Sequence, residues 1–207
     1  MQQPLRERPA VGNKPRTRPD AGIAEQVAAA KRGDREAFAQ LYRGHVARVY
    51  DYAARRLPDA HAAEEATQEV FYRAFRGLEH CRTETLFAGW LFGIARNVIA
   101  DVYRARRLRT EALDFAGDPE DPALPPMEQV LRSERRDELL AMREHCLSAS
   151  ERDLFDLLLS DLTDQEIATA LGRRYGAIRT AHWRLLGKLK NCFESMSTER
   201  GADHVAV

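Results

Sequence analysis

The chain has 207 residues, 44% hydrophobic and 31% charged, which leaves room for one or two helix-rich domains. Its 32 basic and 32 acidic residues cancel, which excludes a globally basic nucleic-acid binder; DNA contact would have to come from local segregation of charge. No apolar run approaches the roughly 18 residues of a membrane span and no signal peptide opens the chain, so a cytoplasmic location is expected. Cys81, Cys146 and Cys192, odd in number and widely spaced, read as reduced thiols. The pairs His80-Cys81 and His145-Cys146 lack metal-ligand spacing, so no metal is expected.

Residues 1–22 are rich in Pro, Arg and Gln without apolar periodicity, as in a disordered basic arm carrying Arg6, Arg8, Lys14, Arg16 and Arg18. Residues 23–57 read as two helices broken at Gly33-Asp34. Asp34 caps the second, and Ala37, Phe38, Leu41, Tyr42, His45, Val46, Val49, Tyr50, Ala53 and Leu57 are its buried side. After Pro58, Asp59 opens a helix over residues 60–77. Ala62, Ala63, Ala66, Val70 and Phe71 face a core, while Glu64, Glu65, Gln68, Glu69 and Tyr72 form a polar, mostly acidic face. Residues 78–85 are turn-like. Residues 87–108 form a helix, apolar at first (Trp90, Leu91, Phe92, Ile94) and then basic (Arg96, Arg104, Arg106, Arg107). Aromatic rings beside a basic helix end suit partly single-stranded nucleic acid, although Trp90 itself reads as core.

Residues 110–128 change character. They carry Glu111, Asp114, Asp118, Glu120, Asp121 and Glu128 with no Lys or Arg, and Pro119, Pro122, Pro125 and Pro126 forbid a long helix, so the segment reads as a flexible acidic linker. Residues 127–147 form a charged amphipathic helix, and Ser148 or Ser150 caps the next, with Leu154, Phe155, Leu157, Leu158 and Leu159 as an apolar block.

Residues 162–190 carry the most specific local pattern. Thr163 and Glu166 make a capping box, Ile167, Ala168 and Leu171 follow at helical spacing, and Gly172 stands where a helix ends with positive φ. Ile178, Ala181, Leu185 and Leu189 then form a second apolar stripe among Arg173, Arg174, Arg179, Arg184, Lys188 and Lys190. Between residues 167 and 193 there is no acidic residue. A short helix, a glycine turn and a longer basic helix make a helix-turn-helix, whose second helix enters the DNA major groove. An ordinary helical hairpin with a solvated basic face is the alternative; the absence of acids argues against it. The tail after Ser195 is polar and reads as frayed. No phosphate-binding loop, dinucleotide turn or Ser/His/Asp arrangement is present, so neither an enzyme nor a cofactor is expected.

The order of these elements resembles an extracytoplasmic-function (ECF) RNA polymerase sigma factor of the sigma-70 family. Four stretches carry the resemblance: GDREAFAQLYRGHVARVYDYAARRL, DAHAAEEATQEVFYRAFRGL, FAGWLFGIARNVIADVYRARR and LSASERDLFDLLLSDLTDQEIATALGRRYGAIRTAHWRLLGKLK. It implies an all-α protein: sigma region 2 over residues 23–109, the linker over 110–128, sigma region 4 over 129–196 and a tail over 197–207. It implies that Glu64, Glu65, Gln68, Glu69 and Tyr72 meet the polymerase. Arg96, Asn97, Arg104, Arg106 and Arg107 then approach the minus-ten DNA, and residues 79–86 lie where an extruded base is captured. Arg173, Arg174, Arg179, Thr180, Arg184 and Lys188 approach the minus-thirty-five DNA. The implied partners are core RNA polymerase, through its beta-prime clamp and beta flap, promoter DNA and an anti-sigma factor. The family's basic run is thinned here by Ala181, Leu185, Leu186 and Gly187, His182 stands where an aliphatic residue is common, and Glu65 where Asp is typical. A sigma-like mimic that sequesters an anti-sigma factor and an ordinary helix-turn-helix regulator are the alternatives. The free chain is expected to adopt a compact, inhibited arrangement of its two units.

Overall fold

Sequence signals at the helix starts become hydrogen bonds in the computed structural model, which describes residues 21–112 and 142–203. Helix α1 spans Ala21–Lys31 and α2 Arg35–Ala54, with the Asp34 carboxylate accepting from the amides of Glu36 and Ala37. Helix α3 spans Ala60–Gly77, with Asp59 capping the amide of Ala62. Two single 3₁₀ turns, Leu78–His80 and Glu84–Leu86, lead into α4, Phe87–Ala112. After a helical stretch at residues 142–146 come α5 (Ala149–Leu159), α6 (Asp164–Leu171) and α7 (Tyr175–Asp203). The described residues are all helix, turn and loop.

Three expectations need correction. Helix α4 continues to Ala112, into the expected linker, because no Gly or Pro stands between Leu108 and Gly117. Helix α7 runs through the expected frayed tail to Asp203, because no proline follows Pro126. Cys146 and Cys192 form a disulfide, with Cα atoms 6.4 Å apart and a sequence separation of 46. Spacing alone carries no pairing information, which is why the reduced-thiol expectation missed it. Cys81 is free and buried. The basic arm lies outside the described residues up to position 20, as do residues 113–141 and 204–207.

The core is one continuous cluster from Val27 to Leu185. Tyr52, Phe87, Leu91 and Phe92 fill the first four helices, with Tyr52 and Phe92 meeting edge to face at 5.3 Å. Leu157, Leu162, Ile167, Ile178 and Leu185 fill the last three. Residues Glu84–Leu108 are apolar enough, with mean hydropathy 1.2, to match a membrane-crossing helix by length and composition. The apolar side of α4 lies instead against α2, α3 and α6.

The contact between α4 and α6 joins the two ends of the chain. Gly89 and Gly93, one turn apart on α4, let the α6 backbone approach. A Cβ on Gly89 would sit 2.5 Å from the Glu166 carbonyl oxygen and 2.8 Å from its Cα, whereas one on Gly93 would be 3.6 Å from the Ala170 carbonyl oxygen. Arginines of α2 and its C-terminal turn seal the flank. Arg48 donates to the Ser160 carbonyl (2.8 and 3.0 Å) and to that of Asp161 (3.1 Å), and Arg55 to the Asp156 carbonyl (3.1 Å) and the Ser160 hydroxyl (2.6 Å). These carbonyls end α5, where unsatisfied acceptors favour cations.

Candidate nucleic-acid and polymerase interfaces

The helix-turn-helix is built from its caps outward. The Thr163 hydroxyl accepts from the Glu166 amide (3.3 Å), and the Glu166 carboxylate accepts from the Thr163 amide (2.8 Å), closing the capping box. Gly172 ends α6 at φ 61°, a left-handed conformation that costs a side chain little only when it has no Cβ. The chain then re-enters helix at Tyr175. Ile178 and Leu185 are buried beneath α7, so Arg179, Thr180, Trp183 and Leu186 face outward. His182 Nδ1 lies 2.7 Å from an Asp164 carboxylate oxygen, tying α7 to the first turn of α6.

Among the described residues, Arg173, Arg174, Arg179 and Arg184 are exposed and form no ion pair. Lys188 is held by Glu151 at 2.7 Å, and this contact, with the Ser148 amide and hydroxyl, holds the Glu151 carboxyl at about 2. The Thr180 hydroxyl donates back to the Gly176 carbonyl at 3.0 Å.

Helix α4 presents its charges differently. Arg96 is half-buried and meets Asp153 of α5 at 3.3 Å. Arg104 pairs with Asp101 at 2.8 Å and Arg106 with Asp59 at 3.5 Å, while Asn97 and Arg107 are exposed. Asp101 also takes Arg73 at 2.9 Å, and that hydrogen bond is the chief reason its carboxyl lies below the usual range. Asp153 is shared, because Arg56 binds its other oxygen while also touching the Tyr52 hydroxyl. Burial pushes that phenol up to about 12, so it stays a neutral partner for the guanidinium.

On α3, Glu64, Glu65, Gln68 and Tyr72 are exposed together, with Glu69 half-buried. Glu69 pairs with Arg73 at 2.6 Å and Glu65 with His61 at 3.4 Å. Between α3 and α4 runs a groove lined by Glu65, Glu69, Arg73, Val98, Asp101 and Arg106, so acidic and basic residues of the two helices share one surface. No cluster of His, Cys, Asp and Glu that would hold a metal occurs among the described residues.

The Sigma-70 region 2 family profile matches residues 41–109. The RNA polymerase sigma-H factor of Pseudomonas aeruginosa is 30% identical over 174 residues, 80% of this chain and 89% of that protein. The chain belongs to the ECF class of sigma-70 family RNA polymerase sigma factors. ECF RNA polymerase sigma factor SigE of Mycolicibacterium smegmatis is 33% identical over 162 residues, covering 77% of this chain and 63% of SigE. BldN of Streptomyces coelicolor, also an ECF RNA polymerase sigma factor, is 29% identical over 178 residues, covering 82% of this chain and 65% of BldN. This sigma factor therefore spans less than two thirds of either of those relatives. Its fold matches the solved structure of CnrH in complex with the cytosolic domain of CnrY, with a TM-score of 0.60 and 21% identity over 84% of this chain and 98% of that one.

Sequence reasoning missed several side chains of this sigma factor. Trp183 is 78% exposed on the outward face of α7, one turn from Arg179; the stripe through Ile178 and Leu185 carries the signal, since position 183 falls opposite it. Phe75, 57% exposed beside Tyr72 on α3, was likewise overlooked. Nothing local marks Arg48, Arg55, Arg56, Asp153 and Asp156, whose partners lie about a hundred positions away in the chain.

Proposed function

We propose that this transcription initiation factor binds core RNA polymerase through the α3 face, directs it to promoters with α7, and helps open the DNA with α4. Glu64, Glu65 and Gln68, with half-buried Glu69 beside them, offer a mostly acidic surface to a basic partner, where charge complementarity sets register and encounter rate. Tyr72 adds an apolar ring to that face. Arg173, Arg174, Arg179, Thr180 and Arg184 offer α7 to the minus-thirty-five major groove. Asn97, Arg104, Arg106 and Arg107, joined by Arg96, serve the minus-ten DNA. Melting is driven by binding energy for unstacked bases, with no bond made or broken by the protein. The beta flap for the α5–α7 unit and an anti-sigma factor are the remaining partners of this reading, which places the protein in the cytoplasm with polymerase.

The observation that carries it is the acid-free outward face of α7 over residues 175–193, presented behind α6, which is capped at both ends. Pull-down with bacterial core polymerase followed by run-off transcription on genomic fragments tests it. Binding with promoter-dependent transcripts is the expected result. Binding without transcripts favours a mimic; duplex binding by the free protein without polymerase binding favours an ordinary regulator.

A further inference from the structure

We propose that Lys31 is a positioning residue for promoter opening: from α1 it staples the loop between α3 and α4 at residues 81 and 84, and so sets Arg82 and Thr83 for an extruded base. This rests on the sigma reading above, which puts base capture in residues 79–86.

The staple joins parts of the chain that are far apart in sequence. The Lys31 ammonium donates to the Cys81 carbonyl at 2.7 Å and to a Glu84 carboxylate oxygen at 3.0 Å, across 50 and 53 positions of chain. An ammonium has three donors and no acceptor, so one side chain holds both oxygens. The Cys81 carbonyl needs such a partner. Cys81 is fully buried in extended backbone between the two 3₁₀ turns, where a polar group left unpaired is destabilising.

Lys31 is itself held in place. It ends α1, and its side chain is only 23% exposed. Val27, one turn earlier, is completely buried in the core. Gly33, at φ 94°, turns the chain toward α2, and the Asp34 amide donates back to the Ala29 carbonyl at 3.2 Å. The corner between α1 and α2 therefore fixes the root of the lysine.

The residues between the two anchors are open to a ligand. Arg82 and Thr83 are both exposed. Among the described residues Arg82 forms no ion pair, and the Thr83 hydroxyl makes no capping bond to the turn it precedes. A guanidinium fork and a hydroxyl are groups that read a base edge, and they discriminate between bases only from a defined position. A loose loop would lose backbone freedom as the base arrived; the staple removes that freedom before DNA binds.

The test uses the full chain reconstituted with bacterial core polymerase and a random-sequence single-stranded DNA pool, whose bound fraction is sequenced. The wild type should enrich one base at one position by about tenfold beyond what Lys31→Met achieves. Lys31→Met keeps the aliphatic stem and removes the ammonium, so total pool binding and polymerase pull-down should stay unchanged. Lys31→Arg should restore the enrichment, because a guanidinium also carries several donors. Glu84→Gln, which leaves the Cys81 contact in place, should show a smaller loss. Hydrogen exchange of the free chain reads the loop without polymerase. The amides of Cys81 and Leu86, which donate to the Leu78 and Thr83 carbonyls at 3.0 and 2.9 Å, should exchange about tenfold faster in Lys31→Met, with the helix amides at the wild-type rate. Unchanged exchange at both amides, a wild type without single-base preference, unchanged enrichment in Lys31→Met, or its equal loss at every position would overturn the proposal. Failure of the wild type to bind core polymerase would remove the sigma reading, whereas the exchange result would still decide whether Lys31 holds the loop.

Discussion

The two ends of the molecule are held together by different means and present their arginines in opposite states. Helices α1–α4 share a broad apolar core centred on Tyr52, Phe87, Leu91 and Phe92, and their charges lie mostly at the rim. Helices α5–α7 have a narrower core and add specific ties: two capping boxes, a disulfide, and Asp156, fully buried, accepting from Arg143 at 2.8 and 2.9 Å. The arginines of α4 described above are largely matched to carboxylates, whereas Arg173, Arg174, Arg179 and Arg184 at the helix-turn-helix form no ion pair among the described residues. A basic helix is thus not by itself a DNA-ready helix; readiness depends on what its cations already face.

The comparison breaks most sharply at Asp156. Asp156→Ala leaves Arg143 and Arg56 without their buried carboxylate and should cost about 3–5 kcal/mol in denaturant unfolding. Arg43→Ala, which removes the exposed Arg43–Glu36 pair of α2, should cost under about 1 kcal/mol. Similar losses for both variants would show that the C-terminal helices do not depend on their buried ion pair. Reduction comes next. Opening the disulfide releases a 46-residue loop and should lower stability by about 2–4 kcal/mol, seen as a lower melting temperature in thiol reductant. Cys192→Ser should melt at the lower temperature with or without reductant.

The functional contrast is sharpened by paired arginine variants. Arg179→Ala removes an exposed cation of α7 and should weaken promoter binding by about 1–3 kcal/mol in reconstituted transcription. Arg104→Ala, whose guanidinium already faces Asp101, should lower open-complex formation by a smaller factor. Equal full activity of both would sink these site assignments.

The smallest effect concerns pH at the seam between the two ends. His45 is buried on α2, with Nδ1 2.8 Å from the Leu41 carbonyl, its ring against Phe87, and Arg48 and Glu166 nearby. Its Nε2 has no hydrogen-bond partner among the described residues. Burial, chiefly, lowers its pKa below the ordinary 6.5, with Arg48 adding to the shift and Leu41 and Glu166 opposing it. The folded chain then binds fewer protons than the unfolded chain, so this contribution is complete above pH 6.5 and declines as pH falls below it. Melting scans at descending pH should show a loss of stability below pH 6.5 that His45→Phe flattens. A wild-type scan as flat as the variant's would count against it.

Much of the local structure was legible before any coordinates. Asp34, Asp59, Ser148 and Thr163 announce their helices because a cap needs only a side-chain oxygen near the first free amides. Gly172 announces a turn because only glycine adopts its φ cheaply. The α7 stripe and the acid-free stretch around it follow from helical period and residue type alone, and so does the exposed acidic face of α3.

What tertiary structure decided is pairing across distance. Nothing local matches Arg48 to the end of α5, Arg96 to Asp153, or Cys146 to Cys192. Gly89 reads in sequence as a weak spot in a helix; against α6 it becomes the point where two backbones meet. Periodicity and capping arise within a few residues of chain, so sequence determines them. Charge neutralisation, disulfide pairing and the covering of one helix by another depend on which surfaces the folded chain brings together, and that is settled only when the whole core closes.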